Sequence, residues 1–414
     1  MKIKILSIFE FDDYAKNHPL RSFQQSSSFA IFMAEKGYDY DLVGFVDEEG
    51  NIKAASLIVF KSIGKINKYG YAPKGFLIDY NDINILKDFT EKLKKYYKKK
   101  NVAFIKINPE IAIGEIDNKT HYVMYNNNAT LESTLESLGY KKLPNNLRFE
   151  SLQPRFEAII PLKEYKFRDF SKPTRNKIRK NYRKGLSIQK VGRDEIDILY
   201  NFIKNKKDKT LNYYKNYYNV FAKNNNADVF LVKINFEQSL LYSREEYKKE
   251  EERNEVLSEI VKKNPTEENI EVKMQSDKTL LTFKNDIITA THELGSKKEE
   301  FIAGAITIKH ENRVSILISG YDKRYKRYSP NYFLHYQLCE YYKKDYDYLD
   351  LNGLTGDFKK DNPYYGLNEF KLGFNPEAYE FIGEFDLIIN KGAYKLLDRN
   401  GLLMKEFNRK QKGA

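Results

Sequence analysis

The stretch from Phe236 to Ser296 constrains the fold more than any other part of the sequence. It is highly charged and low in glycine, and its only proline, Pro265, falls near the middle. Met274, Leu281 and Ile288 recur at heptad spacing, as do Leu280, Ile287 and Leu294, while Tyr247, Asn254 and Val261 give a weaker seam before the proline. A heptad repeat keeps one helix face on a partner helix, so the pattern predicts an antiparallel helical hairpin, an arm over 237–297. Strand-like runs, Val229 to Ile234 and Phe301 to Ile308, flank it. The arm can be a solvated element with a thin seam, or a contact surface for RNA or another partner.

The rest of the chain alternates strand and helix patterns. Strands are expected near Tyr40 to Phe45, Lys53 to Lys61 and Phe104 to Ile107, with helices near Asn84 to Lys99 and Thr130 to Leu138. A second cycle begins at Phe156 to Ile160, with helices from Thr174 and Ile196 and a strand at Val314 to Ser319. This is a mixed α/β (α+β) chain of two similar units, although no residue-level repeat is visible. The 414 residues, 41% hydrophobic, suffice for two domains.

The formal charge of +13 calls for a polyanionic partner: RNA, a phosphate-bearing substrate or an anionic membrane face. The single cysteine, Cys339, forms no internal disulfide, the N-terminus carries no secretory h-region, and no apolar run approaches the roughly 20 residues that span a bilayer. A cytoplasmic protein with at most peripheral membrane contact is expected. No Walker A run, no Cys or His cluster at metal spacing and no Gly-x-Ser-x-Gly elbow is present, so neither a metal nor a covalent intermediate is expected.

Four segments could carry chemistry. Asn352 to Phe374 joins two strand-like runs through a loop holding Gly353, Gly356 and Tyr365, and loops this rich in special residues line sites. In its last run, alternation sets Phe370, Leu372 and Phe374 on one strand face and Lys371 and Gly373 on the other, which leaves Lys371 as a surface lysine or a site lysine. Tyr71 to Tyr80 contains a turn at Lys74 and an acid, Asp79, that could deprotonate an amine or cap the next helix. Lys172 to Gly185 reads as a helix whose Arg175, Arg179 and Arg183, with Lys177, form a cationic face suited to phosphates or simply to solvent. Aromatic rings interleave with cations at Lys209 and Tyr213, and around Lys323, Arg324 and Arg327, a pattern that suits stacking on bases or sugars as well as packing.

Taken in order, these motifs resemble the Fem aminoacyltransferases over nearly the whole chain. The motifs are Tyr71 to Tyr80, the helix Thr174 to Gly185, the hairpin opened by Ile234-Asn235-Phe236, the segment Asn352 to Phe374, and Tyr379 to Phe385. The resemblance implies two GNAT-like domains: 1–150, completed by about 380–414, and 151–379 carrying the arm. It implies transfer of glycine, alanine or serine from aminoacyl-tRNA to the side-chain amine of stem-peptide residue three, on a lipid-linked or UDP-linked muropeptide. Charged tRNA, that muropeptide, the inner membrane face and related transferases would be its partners. No cofactor is implied, and acetyl-CoA is not, since no Gln/Arg-x-x-Gly-x-Gly/Ala loop lies at Tyr321 to Pro330. The alternatives are a non-catalytic RNA-binding or scaffold protein with the same fold, and a tRNA-dependent transferase acting on another amine.

The same resemblance gives Lys371 the role of stabilising the oxyanion, with the Phe370 backbone beside it and Asp79 as the leading general base. It places Tyr71, Lys74, Lys209, Tyr213, Gly353, Gly356 and Tyr365 around the substrate, and the basic residues named above on RNA or phosphate. Lys74 stands where arginine is usual, as does Lys209. A family lysine of the first helix falls at Met33, and an expected tyrosine falls at Leu317 or Ile318.

Overall fold

The computed structural model describes residues 1–64, 67–149, 152–206 and 209–408. Its strands are β1 (Lys2–Ile5), β2 (Asp39–Val46), β3 (Ile52–Ile63), β4 (Asn67–Ala72), β5 (Val102–Ile107), β6 (Ala112–Ile116), β7 (Val123–Tyr125) and β8 (Tyr140–Lys142). They continue as β9 (Phe156–Pro161), β10 (Leu186–Val191), β11 (Ala227–Asn235), β12 (Glu299–His310), β13 (Arg313–Tyr321), β14 (Tyr348–Leu354), β15 (Glu377–Phe381) and β16 (Phe385–Ile388). The helices are α1 (Ile8–Asn17), α2 (Ser27–Glu35), α3 (Ile83–Lys98), α4 (Leu131–Ser137), α5 (Lys172–Arg183), α6 (Ile196–Ile203) and α7 (Leu211–Ala222). After these come α8 (Phe236–Lys263), α9 (Glu267–Leu294), α10 (Pro330–Tyr342), α11 (Tyr365–Leu372), α12 (Lys391–Arg399) and α13 (Leu402–Asn408).

The strands form two sheets, in the orders β1-β2-β3-β4-β5-β16-β8 and β10-β11-β12-β13-β14-β9-β15-β6-β7. Each sheet is antiparallel except for one parallel pair, β4 with β5 across α3 and β13 with β14 across α10. That GNAT-like pattern thus occurs twice in a mixed α/β chain. β6 and β7, from within 1–150, hydrogen-bond into the second sheet through β15, while β16 lies between β5 and β8 of the first. Residues 409–414 of the C-terminal segment lie outside the described residues.

Local sequence sets these elements. In α3, Leu86, Phe89, Leu93 and Tyr97 recur every third or fourth residue and are buried, and the Asp82 carboxylate caps the first turn by accepting from Ile85 N at 3.0 Å. In α5, Ser171 caps and Pro173 occupies the first turn. One apolar cluster lies under the second sheet around Phe156, Ile160, Phe230 and Leu349. Another joins the sheets, packing Phe11, Phe32 and Leu57 against Tyr217, Val229 and Ile306, and it holds the two sheets against each other.

The arm forms as expected, α8 and α9 turning at Asn264 to Thr266, but its seam differs from part of the sequence pattern. Leu280, Ile287 and Leu294 are half-buried beside the buried Ser276, Phe283 and Ala290, and Tyr247, Asn254 and Val261 of α8 are half-buried as well. Met274, Leu281 and Ile288 are exposed. Two registers one residue apart point about 100° apart around a helix, so only one can meet the partner. Polar members hide the true seam: Ser276 Oγ donates to Glu250 Oε1 at 2.6 Å and receives Asn254 Nδ2 at 3.0 Å.

A second correction concerns Phe370 to Phe374, expected as a strand. Phe370, Lys371 and Leu372 end α11, and Gly373 caps it. Phe370 and Phe374 share a helix face at i, i+4 as readily as a strand face at i, i+4, so alternation alone cannot separate the two.

Candidate active site

Asn368, Lys371 and Leu372 form the buried face of α11. Asn368 holds the helix to the loop after β14: its amide donates to Thr355 O at 3.0 Å and Thr355 Oγ1 at 2.9 Å, and Thr355 N donates back to Oδ1 at 3.0 Å. This places Lys371, 8% exposed, with its Nζ donating to Gly353 O of β14 at 2.6 Å. It is not a surface lysine. A buried ammonium is tolerated only with hydrogen-bond partners in place. A side chain on Gly353 would collide with Pro154 at 2.5 Å and one on Gly356 with the Phe156 ring at 2.3 Å, so both glycines serve close packing around the site. Gly373 makes room for Thr174 of α5 rather than for Lys371, its virtual Cβ lying 2.4 Å from Thr174 Oγ1. The Phe370 ring stands edge-on to Tyr332 and His335 of α10, each at 4.8 Å, and Tyr365 starts α11 half-buried. Burial pushes His335 down to about 3, so it packs as a neutral ring.

A cleft of about 260 Å³ is bounded by the α1–α2 loop, β9, β13, β14 and β15. Lys74 enters it at φ +56°, in the left-handed region that non-glycine residues rarely hold, and is buried. Its Nζ lies 2.6 Å from Glu157 Oε1 and 3.0 Å from Glu110 Oε1. Arg313 meets Glu110 at 3.0 Å, Glu157 at 3.4 Å and Asp350 at 3.0 Å, and Ser315 Oγ donates to Asp350 at 3.0 Å. Burial acts to raise Glu110, but Arg313 and Lys74 outweigh it and hold the carboxyl below its ordinary range. Burial, opposed by Lys74 and aided by Asp350 and Glu110, carries Glu157 above that range.

Of this network only Lys74 stood out in the sequence. Glu157 and Asp350 are single charges within strand runs, Arg313 opens one after the polar His310-Glu311-Asn312, and alternation assigns such charges to solvent. Here the outer face of the strand is covered by the other sheet's loops.

The remaining candidates fall elsewhere. Asp79 is exposed and accepts from Asn81 N at 2.9 Å in the turn before α3, which Asp82 caps. Tyr71 OH donates to Asn108 Oδ1 at 3.3 Å near Lys74. Lys209 stands over the Tyr213 ring at 5.1 Å, and Lys36, which closes α2, reaches the same ring at 5.1 Å. Met33 packs half-buried against the core, and Lys36 follows it one turn on, at the end of the helix. Leu317 borders the cleft, and Ile318 is buried.

The cationic helix face is divided. Arg175 donates to the carbonyls of Arg168 and Phe170, a structural duty, while Lys177 covers Tyr332 at 4.0 Å and Arg179 covers Phe167 at 5.3 Å. Arg179 and Arg183 are exposed. Arg324 pairs with Asp322 at 2.6 Å, and Lys323 is exposed. Arg327 reaches Asp286 of α9 at 3.5 Å, beside the buried Lys184–Asp286 pair, and ties the arm to the second sheet. Among the described residues no group of three or more His, Cys, Asp or Glu is arranged to hold a metal, and no helix is long and apolar enough to cross a membrane.

The model of the FemAB family matches residues 6–399. The chain belongs to the FemAB family. Among its relatives, a lipid II:glycine glycyltransferase of Staphylococcus epidermidis is 26% identical, over 94% of this chain and 93% of its own. The aminoacyltransferase FemA of Staphylococcus epidermidis is 24% identical over 96% and 98%. The crystal structure of FemX shares the fold, with a TM-score of 0.73 at 19% identity over 96% of this chain and 100% of that one. The FemAB resemblance read from the order of the motifs therefore holds, and the chain is an aminoacyltransferase.

Proposed function

We propose that this FemAB protein extends the peptidoglycan stem peptide, moving glycine, alanine or serine from aminoacyl-tRNA to the side-chain amine of residue three on a lipid-linked or UDP-linked muropeptide. The names of its relatives favour a lipid-linked acceptor. The observation that carries the reading is Lys371, an ammonium held inside the protein between α11 and Gly353 of β14.

The ester of aminoacyl-tRNA is already activated, so the work left to the enzyme is positioning and charge stabilisation. Lys371 offers a fixed positive charge to the oxyanion of the tetrahedral intermediate, and the packing of Phe370 on α10 keeps that helix turn in place. Lys36 and Lys209, gathered on Tyr213, offer point charges to the acceptor's diphosphate. Arg179, Arg183 and Lys323 face solvent where an RNA backbone can approach. The reaction calls for no cofactor, and a cytoplasmic location at the inner membrane face would bring the enzyme to a lipid-linked acceptor.

The test is a reconstituted reaction: purified protein, charged tRNA and muropeptide acceptor, with product detected by mass spectrometry. An extended stem peptide is expected. Tight, salt-sensitive tRNA binding without product would point instead to an RNA-binding scaffold, and product only with a different amine would reassign the acceptor.

A further inference from the structure

The ion-paired cluster inside the cleft between the sheets holds more acid than base. Glu110, Glu157 and Asp350 surround Lys74 and Arg313, three carboxylates against two cations, in a chain whose formal charge is +13. Both cations are shared: Lys74 spans Glu157 and Glu110, and the Arg313 guanidinium spans all three acids. Among these five groups the acids are in excess by one, while Arg21 also lines the cleft. The walls also present Gln24 Oε1, His310 Nε2 and Arg313 Nε, buried polar atoms without a hydrogen-bond partner among the described residues, which suits a polar ligand.

Glu157 sits at the centre of this cluster, 3% exposed, and its Cα is the ladder partner of Gly353, the residue whose carbonyl holds Lys371. Directly opposed residues of an antiparallel pair lie about 5 Å apart, so the acidic cleft and the Lys371 ammonium flank one short piece of β14.

Resting on the transfer reading above, we infer that the cleft receives the primary ammonium of the acceptor and that Glu157 takes its proton. The alkylammonium gives one proton to the Glu157 carboxylate and becomes a neutral amine. Its lone pair forms the C–N bond at the ester carbonyl, the C–O bond to the ribose breaks, and a second N–H proton passes to the departing ribose oxygen. Glu157 then returns its proton to solvent.

The surroundings suit this task. Burial, with Asp350 and Glu110 adding to it and Lys74 and Arg313 opposing, raises the proton affinity of Glu157, as a general base working near neutrality requires. Tyr379 faces it from β15, Tyr348 stands on β14, and Arg21 and His310 border the cleft from the α1–α2 loop and β12. Burial pushes His310 down to about 4, so it stays neutral and adds no charge. Asp79, exposed in its turn, has none of these partners.

The experiment measures kcat and KM against pH for the full chain with charged tRNA and muropeptide. Glu157→Gln is expected to lower kcat roughly 100-fold at neutral pH with KM for tRNA unchanged, the loss shrinking as the pH rises toward the amine's own pKa of about 10.4. Lys74→Met should move the acidic limb of the profile to higher pH, because the ammonium it removes favours the ionised carboxylate. An unchanged kcat in Glu157→Gln, or a loss equal at every pH, would overturn the assignment. So would disappearance of the limb in Asp79→Asn with its retention in Glu157→Gln. Should Glu157→Gln fail to fold, as read from its melting curve, an unmoved limb in Lys74→Met refutes the proposal alone. A wild-type protein that forms no product with any amine sinks the transfer reading itself, whereas product formed equally well by wild type and Glu157→Gln sinks only the role of Glu157.

Discussion

Replacing Lys371 with methionine removes a positive charge from the protein interior while keeping most of the side chain's length. The lysine is 8% exposed, and its Nζ donates to Gly353 O at 2.6 Å. Losing a hydrogen bond with a charged donor costs about 1.5–3 kcal/mol, but the substitution also relieves the desolvation of an ammonium, a term of several kcal/mol with the opposite sign. The two offset one another, so folding stability should change by no more than about 2 kcal/mol in either direction. The transition state has no such compensation: a preorganised donor to an oxyanion contributes about 3–4 kcal/mol, or roughly 100- to 1,000-fold in kcat. Single-turnover kinetics with pre-charged tRNA isolates the chemical step from product release, and KM should change little. Arginine should not rescue the variant, because its planar fork does not fit a slot shaped for one ammonium. A folded Lys371→Met protein turning over within tenfold of wild type would refute the reasoning.

Asp286→Ala should destabilise the protein by about 3–5 kcal/mol in thermal denaturation, because it strands the buried Lys184 ammonium at the base of the arm. Within the arm, Phe283→Ala should cost about 3 kcal/mol, whereas Met274→Ala on the outer stripe should stay within about 0.5 kcal/mol, and urea midpoints separate the two. Lys36→Ala and Lys209→Ala should each raise KM for the diphosphate-bearing acceptor more than they lower kcat, as steady-state kinetics would report. His335 gives a pH dependence. Its folded pKa is depressed from 6.5 to about 3, so the native state binds fewer protons than the unfolded chain between those values. The stability it contributes is complete above pH 6.5 and falls as the pH drops toward 3, by about 2 kcal/mol at pH 5, and His335→Phe should flatten that slope in denaturant titrations.

Much of the architecture was legible because it rests on local periodicity. The strands at Asp39–Val46 and Ile52–Ile63, the helix Ile83–Lys98 and the two helices of the arm each carry their own apolar period and caps, and each lies where the pattern puts it. Periodicity failed where two periods fit the same residues. Phe370 to Phe374 satisfies both a strand and a helix turn, and α9 carries two heptad registers, of which packing against α8 selects one.

The sequence by itself determined the α/β composition, the inserted arm, the basic character and the family, since each depends on spacing within a segment or on the order of motifs along the chain. The environment of the chemical groups was decided by tertiary structure. Lys371 became a buried ammonium only when α11 closed on Gly353, and Glu157, Arg313 and Asp350 became a cleft only when loops of the first sheet covered the outer face of the second. Charge, burial and proton affinity depend on what stands within a few ångströms in space, and residues 74, 110, 157, 313 and 350 are brought to that distance by the fold alone.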